Sequence, residues 1–379
     1  MKILAVDVGT GTQDILLFDS RMDIENSFKM VQPSPTIITH RKLKQATRQG
    51  HDVALTGVTM GGGPSHWAAE DHLNAGYKVY ATADAARSFN DDLELVADMG
   101  IILIGDEEVE KLPEDVLKLE LRDFDFDQIQ LAFSHFDVSL DDLDCVAVAV
   151  FDHGAAPPGY SDRQFRFDYI EDRVNRDAHL RSFAFLAKDV PDIMTRMGAV
   201  VSSANRLDTQ LILMDTAPAA VLGAMQDNNI RSKEKTVVAN VGNFHTIAFR
   251  LSTEGITGVF EHHTGMLDTT KLDGLLLKLA QGTLTHEEIF LDSGHGALIL
   301  DSQSGDLSEE DFLMAVTGPR WAMMKNSSLK PYYATPHGDM MMAGCFGLIE
   351  ATASLLPDYQ EEIVAALGQG REKPPWELA

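Results

Sequence analysis

Residues 2–19 read KILAVDVGTGTQDILLFD. An apolar run leads into Asp7; Gly9, Thr10, Gly11 and Thr12 follow, and a second apolar run, Ile15 to Phe18, closes on Asp19. The pattern predicts two strands joined by a tight hairpin of glycine and threonine. Such a turn brings backbone N–H groups and hydroxyls close to a phosphate without side-chain bulk in the way. Asp7, at the end of a buried strand, is placed to hold a hydrated magnesium ion, because hard cations prefer carboxylate oxygen. An ordinary hairpin with an acid at its rim fits the same residues.

The 379 residues exceed what one hydrophobic core usually organises, so two domains are expected. With 58 acids against 31 bases the formal net charge is −27, which argues against nucleic-acid or anionic-membrane surfaces as partners. Local backbone donors and a divalent cation still allow nucleotide binding. Cys145 and Cys345 are the only cysteines and form no CxxC or CxxxCxxC cluster, so neither a cysteine-ligated iron–sulfur centre nor a disulfide framework is supported. No leader pattern and no apolar run of membrane-span length is evident, and a cytoplasmic protein is expected.

Strand-like and helix-like runs alternate along the chain, the pattern of an α/β fold. VALTGVTM runs into the triple glycine Gly61–Gly62–Gly63 and a helix expected over 65–75, where the glycines are either a ligand loop or a flexible turn. CVAVAVF, residues 145–151, reads as a buried strand ending in Asp152 and His153, the end at which α/β sheets usually place ligands. Residues 176–206 read as mostly helical, and EIFLDSG, GALILD and FLMAVTG read as strands.

The opening has an echo. TVVANVGNFHTIAFRL, residues 236–251, repeats an apolar strand, a polar residue, a glycine, small polar residues and a second apolar strand. Asp7-Val8-Gly9-Thr10 aligns with Asn240-Val241-Gly242-Asn243. Two such hairpins suggest two similar α/β domains that pinch a phosphate chain between their turns.

With these segments in order, the chain resembles the actin-like ATPase superfamily of sugar kinases, heat-shock chaperone ATPases and actin. The first phosphate motif matches Asp7, Gly9, Thr10 and Thr12, with Gly11 in the turn. MDTAPAAVLGAM, residues 214–225, is similar to the first interdomain helix; Asn240, Gly242 and Thr246 match the second phosphate motif, with Asn243 in the place of its usual second glycine. MAVTGPRW, with Thr317 and Gly318 at its turn, resembles the adenosine motif, and AGCFGLIEA, residues 343–351, the second interdomain helix. The resemblance implies two actin-like (ribonuclease H-like) α/β domains facing across a nucleotide cleft. The expected division is 1–213 with insertions, 214–342, a C-terminal interdomain helix over 343–369, and a tail over 370–379.

By TGVTMGGGPSHW, FDHGAAPPGYSDRQFR and TPHGDMMMAGCFG, the chain looks most like a prokaryotic family labelled "putative pyruvate formate-lyase activating enzyme". That label implies radical chemistry on a three-cysteine cluster, whose motif the sequence lacks. The expectation is therefore ATP and Mg²⁺ as ligands, with Asp7 and Asn240 at the metal. Phosphoryl transfer or ATP hydrolysis coupled to domain closure would act on a small-molecule or protein acceptor. Asn240 stands where the superfamily usually carries aspartate, which favours a second reading, a nucleotide-gated binding protein with little turnover. A third is an ATP-driven activator of a partner enzyme.

Asp215, at the head of the first interdomain helix, and Asp152 are the candidate catalytic bases; a helix N-cap and a strand terminator are their plain alternatives. His153, His245, His262, His263, His295 and His337 show no HExxH-like spacing and read as polar lining or surface. Arg163 and Arg166 are either anion ligands or partners in surface salt bridges.

Overall fold

The computed structural model describes residues 1–301 and 312–368. The tail expected over 370–379 lies outside the described residues.

Sixteen strands are present among the described residues. In the first half they are β1 (Lys2–Val8), β2 (Thr12–Asp19), β3 (Phe28–Pro33), β4 (Val53–Gly57), β5 (Val79–Ala81), β6 (Ile102–Leu103), β7 (Leu117–Leu121) and β8 (Cys145–Val150). The second half has β9 (Ala184–Leu186), β10 (Gln210–Asp215), β11 (Lys235–Val241), β12 (His245–Ser252), β13 (Gly255–His263), β14 (Gly296–Ile299), β15 (Phe312–Thr317) and β16 (Tyr332–Tyr333).

They form three sheets, in the orders β3-β2-β1-β8-β10-β9, β14-β13-β12-β11-β15-β16, and β6-β5-β4-β7. The two large sheets share a plan. In the first, β1 pairs antiparallel with β2 and parallel with β8, β2 continues antiparallel to β3, and β10 extends β8 in parallel. In the second, β11, β12, β13, β15 and β16 repeat those neighbours and those directions. This duplicated order, three antiparallel strands followed by two parallel ones, is the ribonuclease H-like arrangement that the resemblance implies, and it repeats as the paired hairpins suggest. The chain has the actin-like ATPase fold. The small all-parallel sheet, β4 to β7, is inserted between β3 and β8.

Burial follows the sequence pattern. β1, β2, β8 and β11 are almost wholly buried, as expected of central strands covered on both faces. The helix Thr216–Ala224 leaves β10 and packs along the helix Ala343–Leu355, which also lies on β1 and β8. Glycines make that crossing close: a β-carbon on Gly223 would overlap the Ala343 carbonyl, and one on Gly347 the Ala219 carbonyl. No helix among the described residues is long and apolar enough to cross a membrane.

Three expectations change. EIFLDSG forms the helix His286–Leu291, not a strand, because Thr285 and Glu288 build a reciprocal N-terminal cap that its apolar residues alone do not reveal. The 176–206 segment contains β9, which pairs antiparallel with β10 at a sheet edge. The boundary expected at 213/214 falls within β10, so the first sheet extends to Asp215.

Candidate functional site

A cleft of about 1490 Å³ is lined by the β1–β2 turn, the β11–β12 turn, the β15 terminus and residues 87–95 of the inserted unit. The two hairpin turns are closed in the same way. Gly9 N–H donates to the Thr12 carbonyl at 2.9 Å, and Gly242 N–H to the His245 carbonyl at 3.0 Å. Ser34 braces the first turn from behind: its hydroxyl donates to the Thr10 carbonyl at 2.6 Å and its N–H to the Gly11 carbonyl at 3.2 Å. The turns approach each other, since a β-carbon on Gly11 would stand 2.7 Å from the Asn243 side-chain amide. Gly9, Thr10, Thr12, Gly242 and Asn243 line the cleft.

The closure also fixes equivalence. His245, not Thr246, occupies the place that Thr12 holds in the first turn. Strand alternation turns Thr246 inward, where it is fully buried and shares a 2.9 Å hydrogen bond with the Thr264 hydroxyl. Thr246 is therefore not among the residues lining the cleft.

Beneath the first turn Asp7 faces Asp14, a residue that the sequence reading passed over. The two are directly opposite in the β1–β2 register, which places their side chains on one face. Asp7 Oδ1 accepts from the Thr216 hydroxyl at 2.5 Å, whereas Asp14 Oδ1 is buried without a partner among the described residues. Burial pushes Asp7 up to about 6; burial, followed by the charge on Asp7, pushes Asp14 up to about 8. Paired carboxylates with an unsatisfied oxygen fit a hard divalent cation such as Mg²⁺. Acid–acid pairing across a hairpin is the signal that could have revealed Asp14.

On the opposite wall, Thr317 pairs in register with Asn240. Gly318 follows with φ +97°, and a β-carbon there would stand 2.8 Å from the Val241 carbonyl. Asn240, Thr317 and Gly318 line the cleft, and the buried Thr317 hydroxyl has no partner among the described residues.

Both candidate bases are held in structural bonds. Asp215 caps the helix Thr216–Ala224 through Ala217 N–H and pairs with Arg166; at 1% exposure it does not line the cleft. Asp152 accepts from Gly154 N–H at 2.9 Å and Met197 N–H at 2.8 Å, although its loop does line the cleft. Neither arginine named as a candidate anion ligand lines the cleft. Arg166 is fully buried, donating to the Asp152 carbonyl at 3.0 Å and to Glu261 at 3.1 Å as well as to Asp215. It thereby joins β10 of the first large sheet to β13 of the second. Arg163 donates to the carbonyls of Phe290 and Gly294.

The triple glycine lines the cleft, and its tightness has a local cause: a β-carbon on Gly61 would meet Arg196 at 2.7 Å and Thr36 at 2.9 Å. Arg196 is in turn held by Asp123, at 2.5 and 2.9 Å.

The histidines are not scattered. His153, from the loop after β8, His245, at the start of β12, and His295, just before β14, bring nitrogens within 4.8 Å of one another. His263 stands opposite His245 in the β12–β13 register. Its ring lies 5.0 Å from that of His245 and 4.7 Å from that of His295. Spacing rules could not show this, because the three segments meet only through the sheets. Burial first, then neighbouring imidazoles, hold His245 and His295 well below the ordinary histidine range.

Residues 60–323 match the family described as "Putative pyruvate format-lyase activating enzyme (DUF1786)". The chain belongs to this family. The match covers the triple glycine, the Asp152–His153 loop and the β11–β12 turn, and excludes Asp7 and the helix Ala343–Leu355. No curated relative matches the sequence. Solved structures similar to it include the ethanolamine utilization protein EutJ from Carboxydothermus hydrogenoformans, 12% identical with 92% of this chain and 89% of that chain covered (TM-score 0.32). The ROK hexokinase from Thermus thermophilus is 10% identical, with 94% and 100% covered (TM-score 0.31). The psk41 ParM protein is 12% identical, with 95% and 99% covered (TM-score 0.30).

The radical chemistry that the family's description implies does not fit this member's residues. A cluster-binding activator needs three clustered thiolates, and the two cysteines here are buried and separate. The Cys345 thiol donates to the Asp14 carbonyl at 3.2 Å, and burial holds both thiols above their ordinary range.

Proposed function

We propose that this member of the family binds a magnesium nucleotide across the cleft, the phosphate chain lying between the Gly9–Thr12 and Gly242–His245 turns. The observation that carries the reading is the duplication itself: two hairpins of identical closure meet tip to tip above a buried pair of carboxylates. Asp7 and Asp14 would hold hydrated Mg²⁺, which neutralises phosphate charge when bound. Backbone N–H groups of the turns would address phosphate oxygens, and the β15 terminus at Thr317–Gly318 would border the adenosine. Phosphoryl transfer to an acceptor, or hydrolysis, coupled to closure of the two halves, is the leading activity.

Nucleotide-gated binding with slow turnover is the second reading, and a specific observation favours it. Asp215 and Asp152 are both committed to backbone caps, and Asp215 also to Arg166, so neither carboxylate is free to take a proton from an acceptor.

Calorimetric titration with MgATP, with phosphate release followed in the same sample, tests both readings. Saturable binding is expected, weakened and less magnesium-dependent in Asp7→Asn. Lack of binding at millimolar nucleotide would overturn the proposal; binding without phosphate release would select the regulatory reading.

A further inference from the structure

Three histidines from distant parts of the sequence converge beside the cleft without an evident structural task. His245 opens β12 and His295 immediately precedes β14, two strands of the second large sheet with β13 between them, while His153 follows β8 of the first. Nε2 of His245 and both ring nitrogens of His295 are buried without hydrogen-bond partners among the described residues. Buried polar atoms are rarely left so, and a ligand at that point would satisfy them. The rings are also held in place. His245 stacks on Phe151 at 4.2 Å with the planes 5° apart; the His295 ring lies 4.7 Å from that of His263, and its backbone N–H donates to the Glu261 carbonyl at 2.9 Å.

We propose that His153, His245 and His295 form a binding site for one divalent transition-metal ion, zinc being the representative case. Nitrogen ligands at about 2.1 Å from a shared tetrahedral ion sit about 3.4 Å apart. Donors already within 4.8 Å reach that spacing by small side-chain rotations. Three imidazole nitrogens suit zinc, nickel, copper or iron, whereas magnesium and calcium prefer oxygen. The site is therefore chemically distinct from the Asp7–Asp14 pair and independent of the nucleotide reading. His153 and His245 line the cleft, so the fourth coordination position opens towards whatever the cleft holds. Because His153 belongs to one half and the other two to the second, the ion would also tie the halves together.

The test uses the full chain, stripped with a chelator and titrated with Zn²⁺ without nucleotide, with bound metal counted by mass spectrometry. Co²⁺ replacing zinc reports the ligand field through its visible absorption. One ion per chain is expected. His153→Gln and His295→Gln should each weaken it by more than the ~10–100-fold typical of losing a supporting partner of a ligand. His153 is exposed, so its variant keeps the core intact, with circular dichroism and melting in chelator as the check. Asp7→Asn should leave zinc binding unchanged, which separates this site from the carboxylate pair. Sub-stoichiometric zinc, or affinity unaltered in both histidine variants, would overturn the proposal. So would inorganic phosphate binding to the metal-free chain through these histidines in place of zinc.

Discussion

Gly344 stands directly against Asp7: a β-carbon built on Gly344 would overlap the Asp7 carboxylate. The first turn of the helix Ala343–Leu355 thus fixes where the proposed magnesium ligand points, and glycine is the residue that lets the helix come so near. Gly344→Ala is expected to displace the carboxylate and weaken MgATP binding by about tenfold or more, ~1.4 kcal/mol. Calorimetry against the parent chain reads this. The control is Gly274→Ala, in the exposed middle of the helix Thr269–Ala280 with open space around it. It should stabilise the fold by ~0.5–1 kcal/mol and leave affinity alone.

Asp7 and Asp14 make stability depend on pH in a direction opposite to that of a salt-bridged acid. Both carboxyls titrate higher folded than in the unfolded chain, at about 6 and about 8. Between pH 4 and 8 the native state therefore holds more protons, and stability falls as pH rises. In chelator, thermal melts are expected to lose a few degrees across this window. Asp14→Asn should flatten the slope, and millimolar Mg²⁺ should restore stability at the alkaline end.

The crossing of the helices Thr216–Ala224 and Ala343–Leu355 tolerates no side chain at Gly223 or Gly347, because each faces a carbonyl of the other helix. Gly223→Val or Gly347→Val must force backbone apart, a larger perturbation than the ~1–3 kcal/mol of ordinary overpacking. Urea unfolding should show losses above ~3 kcal/mol, or no soluble folded protein.

Arg166 is the sole cation in direct ion-pair contact with the buried carboxylates Asp215 and Glu261 among the described residues. Arg166→Met leaves both without their counter-charge and should cost ~3–5 kcal/mol. Adding Asp215→Asn and Glu261→Gln removes the stranded charges, and most of the loss should be recovered in denaturant titrations. If the single variant is as stable as the parent, the pair does not join the two halves.

Local order in the sequence carried a large part of the fold. The alternation of apolar runs, the Asp7–Thr12 turn and its echo at Asn240–Asn243 were enough to place two hairpins in two similar α/β halves, because hairpin chemistry and strand burial are written in adjacent residues; the ribonuclease H-like strand order came from the family resemblance. The helix His286–Leu291 was misread where a cap decided between two apolar patterns. Thr246 was misplaced by one residue, and in a strand one residue is the difference between cleft and core.

By itself the sequence determined the repeated architecture, the glycines that the turns require and the acid at the end of β1. Tertiary structure alone decided which side chains meet. It set Asp14 against Asp7, committed Asp215 and Asp152 to caps, buried Arg166 between two acids, and drew His153, His245 and His295 together from positions up to 142 residues apart. The physical reason is that these relationships arise from long-range sheet pairing and close helix packing, whose partners are set by global burial and not by any window of neighbouring residues.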